Sequence, residues 1–190
     1  VTQPLSGLVL DFLVPRPLEG SGGHRTIYRN AEALQLAGAS VRLHFETGGN
    51  RAFRQARDLF GAESMLLEQG WPKKLDGSDL VMASTWQSAM AVSELDAKAV
   101  KAHFVQDYEG WFYPQGDQRL AAERVHDLGL EAVGIGPWPS HRLDDDHRLS
   151  VRSVPFTAAL QPSGRQAGPG GPNPGLPQVL PLYEPETPRP

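Results

Sequence analysis

The sequence contains no cysteine, which excludes a disulfide framework and a thiolate-bound zinc site and is compatible with a reducing compartment. It also lacks any surplus of positive charge. With 18 Lys and Arg against 22 Asp and Glu the net charge is −4, so neither nucleic acid nor an anionic lipid surface is expected as the main partner. No apolar run approaches the roughly 18 residues needed to span a bilayer, and the opening VTQPLSGLVLDFLVP has no basic start of the kind a secretory signal carries. No transmembrane segment is expected. The expected location is the cytoplasm, at most peripheral to the inner face of the membrane. Internal repeats are absent too. What is present is a chain of 190 residues, enough for one domain with a real core.

Short apolar runs alternate with amphipathic ones. GLVLDFLV (7–14) reads as a buried strand that stops at Pro15 and Pro17, and Ile27, Ala31, Leu34 and Ala37 recur at helical spacing before Gly38. SVRLHFE (40–46) alternates as a strand, TGGN (47–50) turns the chain and AFRQARDLFG (52–61) is helical. SDLVMAS (78–84) and VKAHFVQ (100–106) continue the strands, with WQSAMAVSEL (86–95) and GDQRLAAERVHDLG (116–129) as helices and EAVGIG (131–136) as the last strand. Alternation of this kind predicts an α/β fold: a Rossmann-like parallel sheet with helices on both faces, because parallel neighbours need crossover helices. The domain is expected over 1–147. Residues 148–190 read as a Pro/Gly-rich linker or disordered tail, since ten of the 17 prolines fall after residue 154 and such a segment supplies neither helix nor central strand.

In an open parallel sheet, ligands bind beyond the carboxyl ends of the strands. The segments expected there are 19–25, 46–50, 84–86, 106–114 and 136–141, and they carry Trp86, Tyr108, Trp111, Phe112, Tyr113 and Trp138. Gly20, Gly22 and Gly23 let the backbone approach a ligand ahead of a helix N-terminus that suits a phosphate, with His24 and Arg25 as added donors; the plain alternative is a turn that only closes the first strand-helix connection. Neither standard phosphate loop fits. Gly23 is followed by His24 rather than Lys, and Arg25 stands where a dinucleotide fingerprint has its third glycine. Glu46 does sit where a ribose-binding acid is expected, which keeps an NAD-binding oxidoreductase subunit as a lesser reading.

Gln106, Asp107 and Glu109 set acceptors among aromatic rings, a mixture suited to a polyol, and Asp107 with Glu109 is also a candidate catalytic carboxylate pair. The alternative is that Tyr108, Phe112 and Tyr113 pack the loop down while Asp107 caps a turn. Ser84 or Thr85 reads as the cap of the helix from Trp86, and GPWPSH (136–141) as a helix entry with proline early in the helix. DDDH (144–147) reads as a solvated face rather than a metal site, because consecutive residues rarely converge on one ion.

SGGHRTIYRNAEAL, DLVMASTWQSA, AHFVQDYEGWFYP and GIGPWPSHRL, in that order over roughly residues 6 to 145, together resemble the N-terminal domain of retaining glycosyltransferases of the GT-B fold. Within these the run is similar to glycosyltransferase family 4 and its WsaF-like rhamnosyltransferase branch. The resemblance implies transfer of a sugar from a nucleotide diphosphate sugar to a saccharide acceptor. It implies donor phosphates at Gly22, Gly23, His24 and Arg25, acceptor contacts at Trp86, Gln106, Tyr108, Trp111 and Trp138, and catalytic roles for Asp107, Glu109 and His24. No metal and no other cofactor is implied. Such an enzyme has a second, nucleotide-binding domain, and QVLPLYEPETPRP (178–190) reads as a degraded echo of its start. A truncated domain, inactive alone and prone to self-association through its exposed interdomain face, is the expectation; a non-catalytic saccharide- or partner-binding module is the alternative.

Overall fold

The structure is a computed structural model that describes residues 4–62 and 65–154; the proline-rich tail expectation and the 178–190 echo lie outside them. Seven parallel strands form the main sheet in the order β3-β2-β1-β5-β7-β8-β9. They are β1 (Val9–Val14), β2 (Ser40–Phe45), β3 (Leu66–Gln69), β5 (Leu80–Ala83), β7 (Val100–Val105), β8 (Glu131–Ile135) and β9 (Val151–Val154). The two-residue strands β4 (Lys74–Leu75) and β6 (Asp96–Ala97) pair separately. Five α-helices connect them: α1 (Gly22–Leu36), α2 (Gly49–Phe60), α3 (Trp86–Glu94), α4 (Asp117–Arg124) and α5 (Pro137–His147). Single 3-10 turns cover Glu109–Phe112 and Val125–Asp127.

The strand order turns back at β1. The first crossover leads outward to β2 and the third strand, after which the chain returns to the other side of β1 at β5 and continues the opposite way. In doubly wound sheets this reversal opens the crevice where ligands bind. Alternate side chains assign the faces. Leu10, Phe12 and Val14 of β1 pack with Ile27, Tyr28 and Ala31 of α1 and Ala52 and Ala56 of α2. Leu13, between them, packs with Val81, Ala89, Val92 and Val125 on the α3 side. Leu143 of α5 joins Val105 and Ala132, which share that second face. A strand buried on both sides reads as a near-continuous apolar run, as β1 does apart from Asp11.

Beyond the two-residue pair β4 and β6 and the start of α1 at Gly22, three elements differ from the sequence expectation. β3 and β9 were not anticipated: both are four-residue edge strands without an alternating pattern, LLEQ and VRSV, held by backbone pairing to one neighbour. β9 carries the sheet past residue 147, where the domain was expected to end, so among the described residues EAVGIG is the penultimate strand. The single helix expected over 116–129 is an α-helix only to Arg124; the chain then tightens into the 3-10 turn, and Gly129, at φ +75°, ends the segment.

Candidate functional site

Because all seven strands run the same way, the connections that follow them emerge at one edge. Close approaches tie four of these connections together. A β-carbon on Gly23 at the start of α1 would lie 3.4 Å from Oε1 of Gln106 at the end of β7. Glu109 Oε2 accepts from the backbone N–H of Trp86, the first residue of α3, at 2.9 Å. The Trp111 and Trp138 rings, from the loop after β7 and the start of α5, lie 5.5 Å apart at 62°.

The first connection has its sharp bend at Gly20, φ +75°, whereas Gly22 and Gly23 are already the first two residues of the helix. Ser21 is the N-cap, and its hydroxyl accepts from His24 N at 3.2 Å while its carbonyl accepts from Arg25 N. The amides of Gly22 and Gly23 are the remaining first-turn donors. No atom lies within 4 Å of where a Gly22 β-carbon would be, so this glycine borders open space. Arg25 is exposed. His24 Nδ1 accepts from Leu18 N–H at 2.9 Å, and burial lowers its pKa. Both facts favour the neutral ring with its proton on Nε2, so His24 offers a hydrogen-bond donor at Nε2 and its one acceptor nitrogen is already engaged.

The second connection is structural at its start. Ser84 is buried and donates to the Leu13 carbonyl at 2.9 Å, and Thr85 caps α3 in a reciprocal arrangement with Ser88. Trp86 is half-buried, with Nε1 donating to the Tyr113 hydroxyl at 2.9 Å and the two rings edge to face.

The third connection divides its residues between inside and outside. Asp107 is exposed, and its Oδ1 accepts from the next backbone N–H, that of Tyr108, at 2.8 Å, a local bond within the loop. Tyr108 is turned inward. It is 5% exposed, its hydroxyl lies 3.0 Å from His147 Nε2, and its ring stacks on His126, so packing and not solvent claims most of this side chain. Glu109 is half-buried, and burial pushes its carboxyl up to about 7; the Trp86 N–H opposes the shift and nearby Asp107 adds to it. Trp111 is 51% exposed, Phe112 63% and Trp138 38%, an unusual outlay of aromatic surface on one rim. Arg142 of α5 backs this surface, its guanidinium carbon 5.3 Å from the Trp111 centroid and 5.6 Å from that of Tyr108.

Of the remaining candidates, Glu46 is exposed directly after β2, its N–H donating to the Val14 carbonyl at 3.1 Å. The DDDH run ends α5 and is not wholly a solvated face: Asp146 pairs with Arg142 at 2.7 Å and His147 turns in to Tyr108 and Asp127. Among the described residues no group of three or more His, Asp or Glu side chains is placed to hold a metal ion, and no helix is long and apolar enough to cross a membrane.

Sequence reasoning missed two polar clusters. Asp11, fully buried in β1, accepts from Arg42 Nε at 2.7 Å and Nη2 at 2.6 Å, from Ser78 Oγ at 2.6 Å, and lies 2.6 Å from His44 Nε2. A carboxylate inside an apolar strand was itself the signal, since it requires partners, and SVRLHFE offers Arg42 and His44 at period two. The second cluster, His126 and His147 on Tyr108 with His103 stacked on His126, comes from three distant segments and had no local signature. Compared with known proteins, the chain matches no family model, no curated protein and no solved structure.

Proposed function

We propose that this domain is the acceptor side of a glycosyltransferase that moves a sugar from a nucleotide diphosphate sugar to a saccharide acceptor, in the manner of GT-B enzymes. The observation that carries the reading is that one sheet edge bears both the exposed, mutually packed Trp111 and Trp138 rings and the N-terminus of α1, where Gly22 borders open space and Gly23 lies against Gln106. Aromatic faces cover the apolar side of a sugar ring, and a helix N-terminus favours an anionic leaving group. In this scheme Trp86, Gln106, Trp111 and Trp138 form the acceptor side, with Tyr108 beneath Trp111. Gly22, Gly23, the Nε2–H of His24 and Arg25 stabilise the charge that develops on the departing diphosphate, and the exposed Asp107 accepts sugar hydroxyls beside Glu109. The acceleration comes from placement and electrostatics rather than from a covalent nucleophile. A cytoplasmic setting, at most peripheral to a membrane, and rhamnose as the donor sugar belong to the same proposal.

Calorimetric titration with dTDP-rhamnose, rhamnose oligosaccharides and NAD tests it. The expected result is oligosaccharide binding that weakens by about 30-fold in Trp111→Ala, the scale of losing a central aromatic anchor. Tight NAD binding would contradict the proposal in favour of the oxidoreductase reading. The same aromatic surface also fits a non-catalytic saccharide-binding module, and oligosaccharide binding that dTDP-rhamnose leaves unchanged would favour that.

A further inference from the structure

The 3-10 turn Glu109–Phe112, which carries Trp111 and Phe112 to the rim, is pinned on two sides. On one, Glu109 Oε2 accepts from Trp86 N–H, and Tyr113, just past the turn, accepts from the Trp86 indole at 2.9 Å. On the other, buried Gly110 lies so close to α4 that a β-carbon would come within 2.7 Å of Glu123 Cγ, and Glu123 is itself held by Arg119 Nε at 2.8 Å. The Glu109–Trp86 bond is thus the one point where an ionisable side chain of the turn closes it onto α3.

The charged and titratable groups about this point come from each packed element. The loop contributes exposed Asp107. α4 contributes Arg119 and Glu123, which pair with each other. α3 offers its amide terminus, with no acidic residue in its first turn. His126, and Arg142 and His147 of α5, address Tyr108, one residue earlier.

We propose that Glu109 is a proton-operated catch: protonated, it closes the 109–112 turn on the N-terminus of α3, and charged, it moves toward water and loosens the Trp111 face of the rim. Only the functional consequence, a saccharide surface best assembled in mildly acidic conditions, rests on the glycosyltransferase reading; the catch belongs to the ligand-free chain. The direction follows from linkage. A carboxyl in an opened, solvated turn titrates at its ordinary 4.5, the closed one at about 7, so the closed form binds the proton more tightly and loses ground as pH rises between those values. The amide at Trp86 cannot by itself reverse this, because burial of the charge outweighs the single bond it donates.

Hydrogen exchange of the Trp86 amide in the intact chain reads the catch directly, since a first-turn amide has no partner within its own helix. Its protection factor should fall by about 70-fold from pH 5 to pH 8. In Glu109→Gln, which keeps an acceptor without a charge, it should stay high and flat. A flat wild-type profile overturns the proposal, as does an equal fall in Glu109→Gln, which would pass the effect to the histidines at Tyr108. Should Glu109→Gln fail to fold, the carboxyl carbon resonance of Glu109 in the wild-type chain decides: a midpoint near 7 supports the catch, and one between 4 and 5 overturns it. No sugar enters either experiment, so a failed oligosaccharide titration and a failed catch are separate results.

Discussion

A carboxylate with no solvent exposure, Asp11, is tolerated in the middle of β1 because every approach to it is a donor. Burial alone would raise its pKa, but the hydrogen bonds of His44, Arg42 and Ser78, with the Arg42 charge, hold it down to about 2. Since the folded pKa lies below the ordinary 3.8, the folded state binds this proton less readily than the unfolded one. The resulting stability, about 2 kcal/mol, is complete above pH 4 and is lost as pH falls toward 2. Chemical unfolding of wild type at pH 6 and pH 2.5 should show that loss. Asp11→Ala should cost about 3–5 kcal/mol at pH 6, because it leaves Arg42 and His44 facing a buried gap, and should flatten the acid limb; an unchanged acid limb in the variant would assign the pH dependence elsewhere. This cluster was half legible in the sequence. An aspartate within GLVLDFLV demands a partner, but the register that sets Asp11 beside Arg42 is a property of the folded sheet. Glu109 was legible as a rim residue, and its perturbed carboxyl was not, because burial depends on how the 109–112 turn lies against α3.

Among the elements, α3 and α5 bear most directly on the rim. Thr85 and Ser88 satisfy the first turn of α3 reciprocally, so Thr85→Ala should lower stability by about 1 kcal/mol, read as a reduced midpoint in denaturant with an unchanged slope. α5 lies close on β8. A β-carbon at Gly134 would come within 2.7 Å of Ser140 Oγ and 3.0 Å of Val151 Cγ1. Gly134→Ala should therefore cost about 1–3 kcal/mol by overpacking, and a variant as stable as wild type would show that α5 shifts without penalty. Strands buried on both faces and helices with clear apolar spacing could be read from the chain because their periods are local. β3 and β9 could not, since four residues at a sheet edge carry little pattern and owe their shape to a neighbour. The glycines of α1 lie a turn later in the structure than the sequence suggests. They open the helix rather than precede it, because Ser21 caps where a longer loop was expected.

For the whole molecule, the parallel order and the reversal at β1 are what convert four distant segments into one surface. The gathering of 19–25, 84–86, 106–113 and 136–141 followed from strand-helix alternation alone, whereas the division of labour within them did not: Ser84, Thr85 and Tyr108 serve the fold, and Trp111, Phe112 and Trp138 are left to solvent. The four tryptophans make this division measurable. Trp71 donates its indole N–H to the Val14 carbonyl at 3.1 Å and packs in the α3-side core, and Trp111 and Trp138 face outward. The most direct test of a saccharide surface on this rim is therefore the indole N–H resonances of all four during titration with rhamnose oligosaccharides. Saturable shifts are expected at Trp111 and Trp138, a smaller one at Trp86, and none at Trp71; shifts confined to Trp71, or none at any tryptophan at millimolar sugar, would overturn the saccharide-surface reading.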